Sequence, residues 1–158
     1  MNRLLLSDII TTHVTTVPPH SKVNEVLRQM RENEISVIIV TNDGYPIGIF
    51  TEHDAVKALD QKFDLSMIDI EKVMSQPITT ISPDIPLTDA IQFMDKNGFS
   101  RVIVVTKNGY TLGLLNRHDI VKQLYNRHVE LLEERVKANE TTLDIETKKV
   151  DKEREVNE

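Results

Sequence analysis

Two four-residue stretches hold the side chains of this chain best placed for chemistry: Thr51-Glu52-His53-Asp54 and Asn116-Arg117-His118-Asp119. An aspartate placed where a helix begins can be held through one oxygen by backbone N–H groups, leaving the other to accept hydrogen bonds from vicinal hydroxyls such as those of a ribose. A threonine three residues earlier, at a strand end, can donate its hydroxyl to a phosphate oxygen near the same helix N-terminus, where the dipole favours an anion. Thr51 and Asp54 make such a set. Asp119 keeps the carboxylate, but Asn116 offers an amide where the first stretch has a hydroxyl. The charge also changes sign, with Arg117 in place of Glu52 and Arg101 upstream. The expectation is therefore two unequal sites, the phosphate-rich end of a ligand lying where Arg101, Arg117 and His118 reach it. In a crossed arrangement those groups can serve the site whose ribose is read by Asp54. His53 and His118 are counted among the candidate contacts, although a turn histidine more often faces solvent.

Catalysis finds little support. A His-Asp pair suggests metal-dependent phosphoester hydrolysis, but only His13, His20 and His128 remain as further imidazoles, and no two histidines stand at helical i, i+4 spacing. There is no phosphate-binding loop of the Walker type, no Gly-x-Gly-x-x-Gly, and no nucleophile with an adjacent base. The expectation is a protein that is not an enzyme, with no catalytic cofactor and no metal.

Composition narrows the partners. Twenty-five acidic against 19 basic residues give a net charge of −6, which argues against non-specific nucleic-acid binding and against docking on an anionic membrane. The chain lacks Trp and has four Phe and three Tyr, too few for a base-stacking platform. It has no cysteine, so disulfides and thiolate chemistry are excluded. Ser7 and Asp8 interrupt the apolar run of "MNRLLLSDII" well short of a signal-peptide core or membrane span. A cytoplasmic location is expected.

The two reactive stretches belong to a longer echo that must position them. Val37–Leu59 matches Val102–Leu124 at an offset of 65, with 12 of 23 positions identical, among them the Gly-Tyr at 44 and 45 and Gly48. Upstream the offset is 64, pairing "VTTVPP" with "ITTISP" and Ser36 with Ser100. On this alignment one residue is gained near Arg101. Each copy reads as a short β-branched strand, a helix with Ser21 as a plausible N-cap in the first copy, a buried strand ("SVIIV", "RVIVV"), an Asp-Gly or Asn-Gly turn, a returning strand and a second helix. That second helix carries Val56 and Leu59, or Val121 and Leu124, at apolar spacing. The unit is β-α-β-β-α, written twice, in an α/β fold with pseudo-twofold symmetry. A unit of about 60 residues buries too small a share of its surface to stand alone, so the copies should pack on each other and leave a cleft to which each contributes.

The order of elements, their length, and the phrases Gly48-Ile49-Phe50-Thr51-Glu52-His53-Asp54 and Gly113-Leu114-Leu115-Asn116-Arg117-His118-Asp119 resemble a cystathionine-β-synthase-type (CBS) domain pair, often called a Bateman module. The likeness covers roughly residues 4–126. It implies ligand sensing: modules similar to this bind adenosyl compounds such as AMP, ADP, ATP, S-adenosylmethionine or cyclic dinucleotides and regulate an attached or associated partner. An adenine nucleotide, AMP or ATP first, is the regulatory ligand implied for this chain. The resemblance places the adenine between first-strand residues (Val14, Thr16 and Val17, or Ile78, Thr80 and Ile81) and the loop before the buried strand (Ile35, Ser36 and Val37, or Phe99, Ser100 and Arg101), read mainly through backbone groups. It also implies a homodimer built through the helices into a disc.

The last 32 residues are of a different kind, with 17 charges and neither Gly nor Pro, so they cannot form a globular domain. Val129, Val136, Leu143 and Val150 fall at a, and Leu132, Asn139 and Glu146 at d, of a heptad pattern. Either a weak parallel coiled coil or a single solvated helix fits, with Glu133–Lys137 and Asp144–Lys148 as i, i+4 pairs. The expected organisation is a first repeat over 1–64, a second over 65–126, and a charged signalling helix over 127–158 leading to an output domain or partner. A module that serves only dimerisation or scaffolding, its clefts empty, is the alternative.

Overall fold

The computed structural model describes residues 5–155, the side chains at 147 and 150–155 excepted. It divides into two compact units, Met1–His118 and Asp119–Glu158.

The first unit holds both repeats up to their last helix. Its elements are β1 (Thr16–Val17), α1 (Val23–Glu32), β2 (Val37–Asn42), β3 (Tyr45–Thr51), α2 (Glu52–Asp60), β4 (Thr80–Ile81), α3 (Leu87–Asn97), β5 (Arg101–Val105) and β6 (Thr111–Asn116), followed by the start of α4 (Arg117–Glu155). Single 3-10 turns at Leu6–Asp8 and Ile70–Lys72 precede β1 and β4. The order is the β-α-β-β-α unit, twice. Each repeat builds one three-stranded sheet, β1-β2-β3 and β4-β5-β6, with the first pair parallel and the hairpin antiparallel.

The buried stretches of the central strands, Ile38–Val40 of β2 and Val102–Val104 of β5, are apolar because both of their faces are covered. Ile38, Val40 and Phe50 pack with Val23, Val26 and Met30 of α1 and Ala55 of α2, while Ile39 meets its own repeat counterpart Ile103, together with Leu114. The meeting of equivalent residues marks the pseudo-twofold axis. Tyr45 and Tyr110, another equivalent pair, stack with ring centroids 4.6 Å apart beside the two hairpin turns, and Thr111 N–H donates to the Gly44 carbonyl at 3.0 Å.

Strand register corrects the alignment. Val37 pairs with Thr51 and Ile38 with Phe50, whereas Arg101 pairs with Asn116 and Val102 with Leu115. Arg101 thus occupies the place of Val37, and β4–β5 repeats β1–β2 at an offset of 64. The extra residue lies in the second hairpin turn, after Val105, where an insertion disturbs no ladder. Runs as uniform as "VIIV" and "VIVV" match equally well one step out of register, which is why identity misplaced it.

Two further expectations shift. Lys22, not Ser21, is the N-cap of α1, and the Ser21 carbonyl instead accepts the Ile70 N–H at 2.8 Å. Helix α2 buries Ala55 and Ala58 and leaves Val56 and Leu59 exposed, at 62% and 58%.

Each segment that precedes a repeat completes the other repeat. Ile70 and Met74 lie in the core of the first repeat, and Ser75 bridges Ile49 of β3. Conversely Thr11 bridges Leu114 of β6. The linkers are crossed straps, and this explains the strand-end glycines. A Cβ on Gly48 would stand 2.7 Å from Met74 Cγ and closer still to its Sδ, and one on Gly113 would stand 2.6 Å from the Thr11 carbonyl oxygen and closer still to the Ile10 side chain.

The second unit is the remainder of α4. The helix runs unbroken to Glu155, so position 126/127 falls inside it. Leu132, Val136 and Leu143 of the heptad pattern are exposed; the side chain of Val150 lies outside the described residues. Among the described residues no ion pair joins Glu133 to Lys137 or Asp144 to Lys148. Thr141 and Thr142 return their hydroxyls to the carbonyls four residues back, of Lys137 and Ala138. No helix of the described residues is long and apolar enough to cross a membrane.

Candidate functional site

Strand β3 delivers Thr51 to the N-cap of α2, and Asp54 follows at the third helical position. The sequence suggests Asp54 as a residue opening the helix; it instead reaches back and closes the first turn. Its Oδ2 accepts the Thr51 N–H at 2.9 Å and the Thr51 hydroxyl at 3.0 Å. Its Oδ1 accepts the Ser75 hydroxyl at 2.7 Å. Asp54 is only 4% exposed and is the one buried charged side chain among the described residues. Burial of a carboxylate is costly unless it is hydrogen-bonded, and here three donors and a helix N-terminus meet that cost.

The pairing of Val37 with Thr51 sets the loop of Ile35 and Ser36 beside this turn. Ile35 and Val37 are half-buried and Ser36 is exposed. Of the first-strand candidates, Val17 points into the core and Thr16 is exposed one strand further away, paired with Ile39. His53 is exposed on the helix start.

The second turn is built differently. Asn116 Oδ1 accepts the His118 N–H at 3.0 Å, so the amide caps α4. The Arg117 N–H donates to the Ser100 carbonyl at 2.9 Å, and its guanidinium reaches the Met94 carbonyl at 3.2 Å with Asp95 Oδ1 at 3.9 Å, at the C-terminal end of α3. That end of a helix carries partial negative charge, which suits a cation. Arg101, expected to share a site with Arg117, is paired with Asn116, the residue before Arg117, and its Nε is buried with no hydrogen-bond partner. Phe99 is half-buried, its ring 5.9 Å from that of Phe93. Thr80 and Ile81 form β4 against Ile103 and Val104. His118 is exposed, and Asp119 opens the second unit as the third residue of α4.

The structure therefore gathers the candidates into two groups, Ile35–Val37 with Thr51 and Asp54, and Phe99–Arg101 with Asn116 and Arg117. A concavity of about 410 Å³ lies elsewhere, between Leu5–Ser7 and Pro83–Leu87, and none of the candidates lines it. Its repeat-related location is spanned by an ion pair, Lys22 Nζ standing 2.6 Å from Asp69 Oδ1, with His20 Nδ1 3.5 Å from Asp69 and 3.8 Å from Glu71. The hydrogen bond from Lys22 holds the Asp69 carboxyl below its ordinary pKa.

Sequence reasoning missed Ser75. A signal was present, since Thr11 stands 64 positions earlier, giving each strap a hydroxyl residue at the same place.

The comparisons agree with this architecture. A family model for the CBS domain matches residues 6–61 and again 70–126. A 17.7 kDa protein of Acidianus ambivalens is 30% identical over 124 residues, covering 78% of this chain and 74% of its own. The chain spans a smaller share of some other relatives, such as 24% of a homoserine O-acetyltransferase of Methanohalobium evestigatum that is 26% identical over 121 residues. Among solved structures, the CBS domain protein PAE2072 of Pyrobaculum aerophilum, complexed with AMP, aligns with a TM-score of 0.64 at 24% identity, over 73% of this chain and 89% of that one. The CBS domain pair of protein MJ0100, in complex with 5′-methylthioadenosine and S-adenosyl-L-methionine, gives 0.69 at 24% identity over 79% and 98%. With two matched repeats, two sheets of one topology and crossed straps, the chain belongs to the CBS domain family.

Proposed function

We propose that this chain is a regulatory module that binds an adenine nucleotide between its repeats and passes the change through α4 to an output domain or partner. The observation that carries the reading is the buried Asp54 carboxylate at the N-terminus of α2, a fixed acceptor where a ribose and an anion can be held together. The AMP complex of the Pyrobaculum protein and the methylthioadenosine and S-adenosylmethionine complex of MJ0100 support an adenosyl ligand. AMP or ATP is favoured here. The two sites are unequal, because Asn116 and Arg117 are engaged with the chain's own backbone in a way that Thr51 and Glu52 are not.

A ligand that contacts both repeats favours the relative packing that closes around it, and α4, which begins directly after β6, carries that preference outward. The chain works as a homodimer. Val56 and Leu59 on α2 support this, since an apolar stripe exposed on a helix invites a partner. The module has no catalytic role of its own in this reading.

The test is thermal-shift screening with AMP, ATP, S-adenosylmethionine and cyclic dinucleotides, followed by calorimetry of the best ligand on Asp54→Ala. Loss of a charge-assisted contact should weaken binding roughly ten- to a hundredfold. Stability should fall by about 2 kcal/mol, because Thr51 N–H and the Ser75 hydroxyl lose their acceptor. Unchanged affinity in Asp54→Ala would refute the assignment, and the absence of any stabilising ligand would favour the scaffold reading.

A further inference from the structure

Asp54 is already occupied. A carboxylate offers about four acceptor positions, and Thr51 N–H, the Thr51 hydroxyl and the Ser75 hydroxyl fill three of them. One position is too few for two vicinal hydroxyls. A ribose that uses both must displace a donor, and the three donors are not equally held. The Thr51 N–H is fixed by the start of α2, and the Thr51 hydroxyl is carried on the same residue. Ser75 belongs to the strap instead, 21 residues away in sequence, and is solvent-exposed. Its main chain is anchored to β3 by two bonds, Ser75 N–H to the Ile49 carbonyl at 2.8 Å and Ile49 N–H to the Ser75 carbonyl at 3.1 Å. Its hydroxyl can therefore turn to water by one χ1 rotation while the backbone stays in place.

We infer that Ser75 is an internal competitor for the ribose-reading carboxylate: its hydroxyl satisfies Asp54 in the empty protein and yields to a ligand hydroxyl on binding. This deepens the nucleotide reading and rests on it. The serine keeps a buried charge paired when the site is empty and sets a threshold of affinity. The strap then senses occupancy directly, since the group displaced sits next to Met74, whose side chain packs against Gly48 at the other end of the bridge.

The competition has a sign that a purely supporting role lacks. Removing a supporting residue weakens binding, whereas removing a competitor strengthens it. The experiment is calorimetry of AMP and of 2′,3′-dideoxyadenosine monophosphate on the parent, Ser75→Ala, Ser75→Thr and Ser75→Val, with circular dichroism to verify folding. Ser75→Ala should bind AMP about tenfold more tightly, the worth of one charge-assisted hydrogen bond no longer displaced. Ser75→Thr should match the parent, Ser75→Val should follow Ser75→Ala, and the dideoxy nucleotide should show no gain. A parent too weak to measure beside a Ser75→Ala protein that binds would support the competitor. Equal or weaker AMP binding by Ser75→Ala, with a parent that binds, overturns it and leaves the nucleotide reading intact. A gain that persists with the dideoxy nucleotide likewise overturns it; failure of all four proteins to bind AMP overturns the competitor, and the nucleotide reading as well if none of the other screened ligands binds.

Discussion

Asp54 has a role in folding that the structure displays and a role in recognition that is proposed. It closes the first turn of α2, ties that turn to the strap through Ser75, and remains the buried acceptor aimed from a helix N-terminus. The strand-end glycines act at the same scale. Backbone dihedrals do not demand them, because neither has positive φ; close approach of the straps does. Gly113→Ala should be the more disruptive change, because the added Cβ lies 2.6 Å from a backbone carbonyl oxygen that cannot move alone. Overpacking of this kind costs about 1–3 kcal/mol. Gly48→Ala meets the thioether chain of Met74, which can turn aside, so its loss should fall at or below the lower end of that range. Urea denaturation of both variants checks the order, and a Gly48→Ala protein less stable than Gly113→Ala would contradict it.

Among elements, the straps decide how the two repeats differ. Around Ile70–Lys72 the strap is pinned by the Lys22–Asp69 ion pair and by the Ser21 carbonyl. The corresponding place around Leu6–Asp8 faces Pro83–Leu87 across an open concavity. Asp69 should therefore make the first clamp sensitive to acid. Its folded pKa is lowered chiefly by the hydrogen bond from Lys22, with His20 assisting, so its stabilisation is present above the ordinary carboxylate value near 3.8 and is lost as pH falls through the lower folded value. The stability difference between the parent and Asp69→Asn, measured in urea, should be full at pH 6 and shrink steadily below about pH 4. A difference that stays constant down to pH 3 would show that the carboxylate's charge contributes nothing there.

At the scale of the whole molecule, unburied apolar positions recur in both repeats. Val56 and Leu59 on α2 have Val121 and Leu124 on α4 as counterparts, and all four are exposed in the single chain. Further along α4, Leu132, Val136 and Leu143 are exposed as well, while Asn139 and Glu146 interrupt the d positions. Two seams of unequal strength are the expectation. The repeats should supply most of the dimer, and the tail should pair only weakly and in parallel once the repeats hold it at high effective concentration. Light scattering should find a dimer for the full chain at tens of micromolar and for a chain ending at Tyr125, both still binding nucleotide. Leu132→Glu with Val136→Glu should loosen the tails, seen as faster amide exchange along α4, without changing affinity. A monomeric full chain, or loss of ligand binding on removal of the tail, would contradict this division.

Much of this was legible in the amino-acid order. Duplicated phrases, β-branched runs and Gly-containing turns specify two β-α-β-β-α units, because local periodicity and turn chemistry are short-range properties. The same echo marked Thr51 and Asp54, since a carboxylate three residues after a strand-end hydroxyl is a local pattern. The rest was decided by contacts distant in sequence. Val56 and Leu59 carry the apolar spacing of α2, yet its buried face is Ala55 and Ala58, and which face of a helix meets the core is settled only by packing. The extra residue of the second repeat sits in a hairpin turn, although identity placed it at Arg101, because uniform apolar strands do not encode their own register. Arg117, expected to reach a phosphate, also donates to the Met94 carbonyl at the end of α3, a partner no sequence window displays. Ser75 completes the set around Asp54 from the other side of a crossed strap, and only the tertiary fold brings a hydroxyl 21 residues away to within 2.7 Å of a buried charge that needs a third donor.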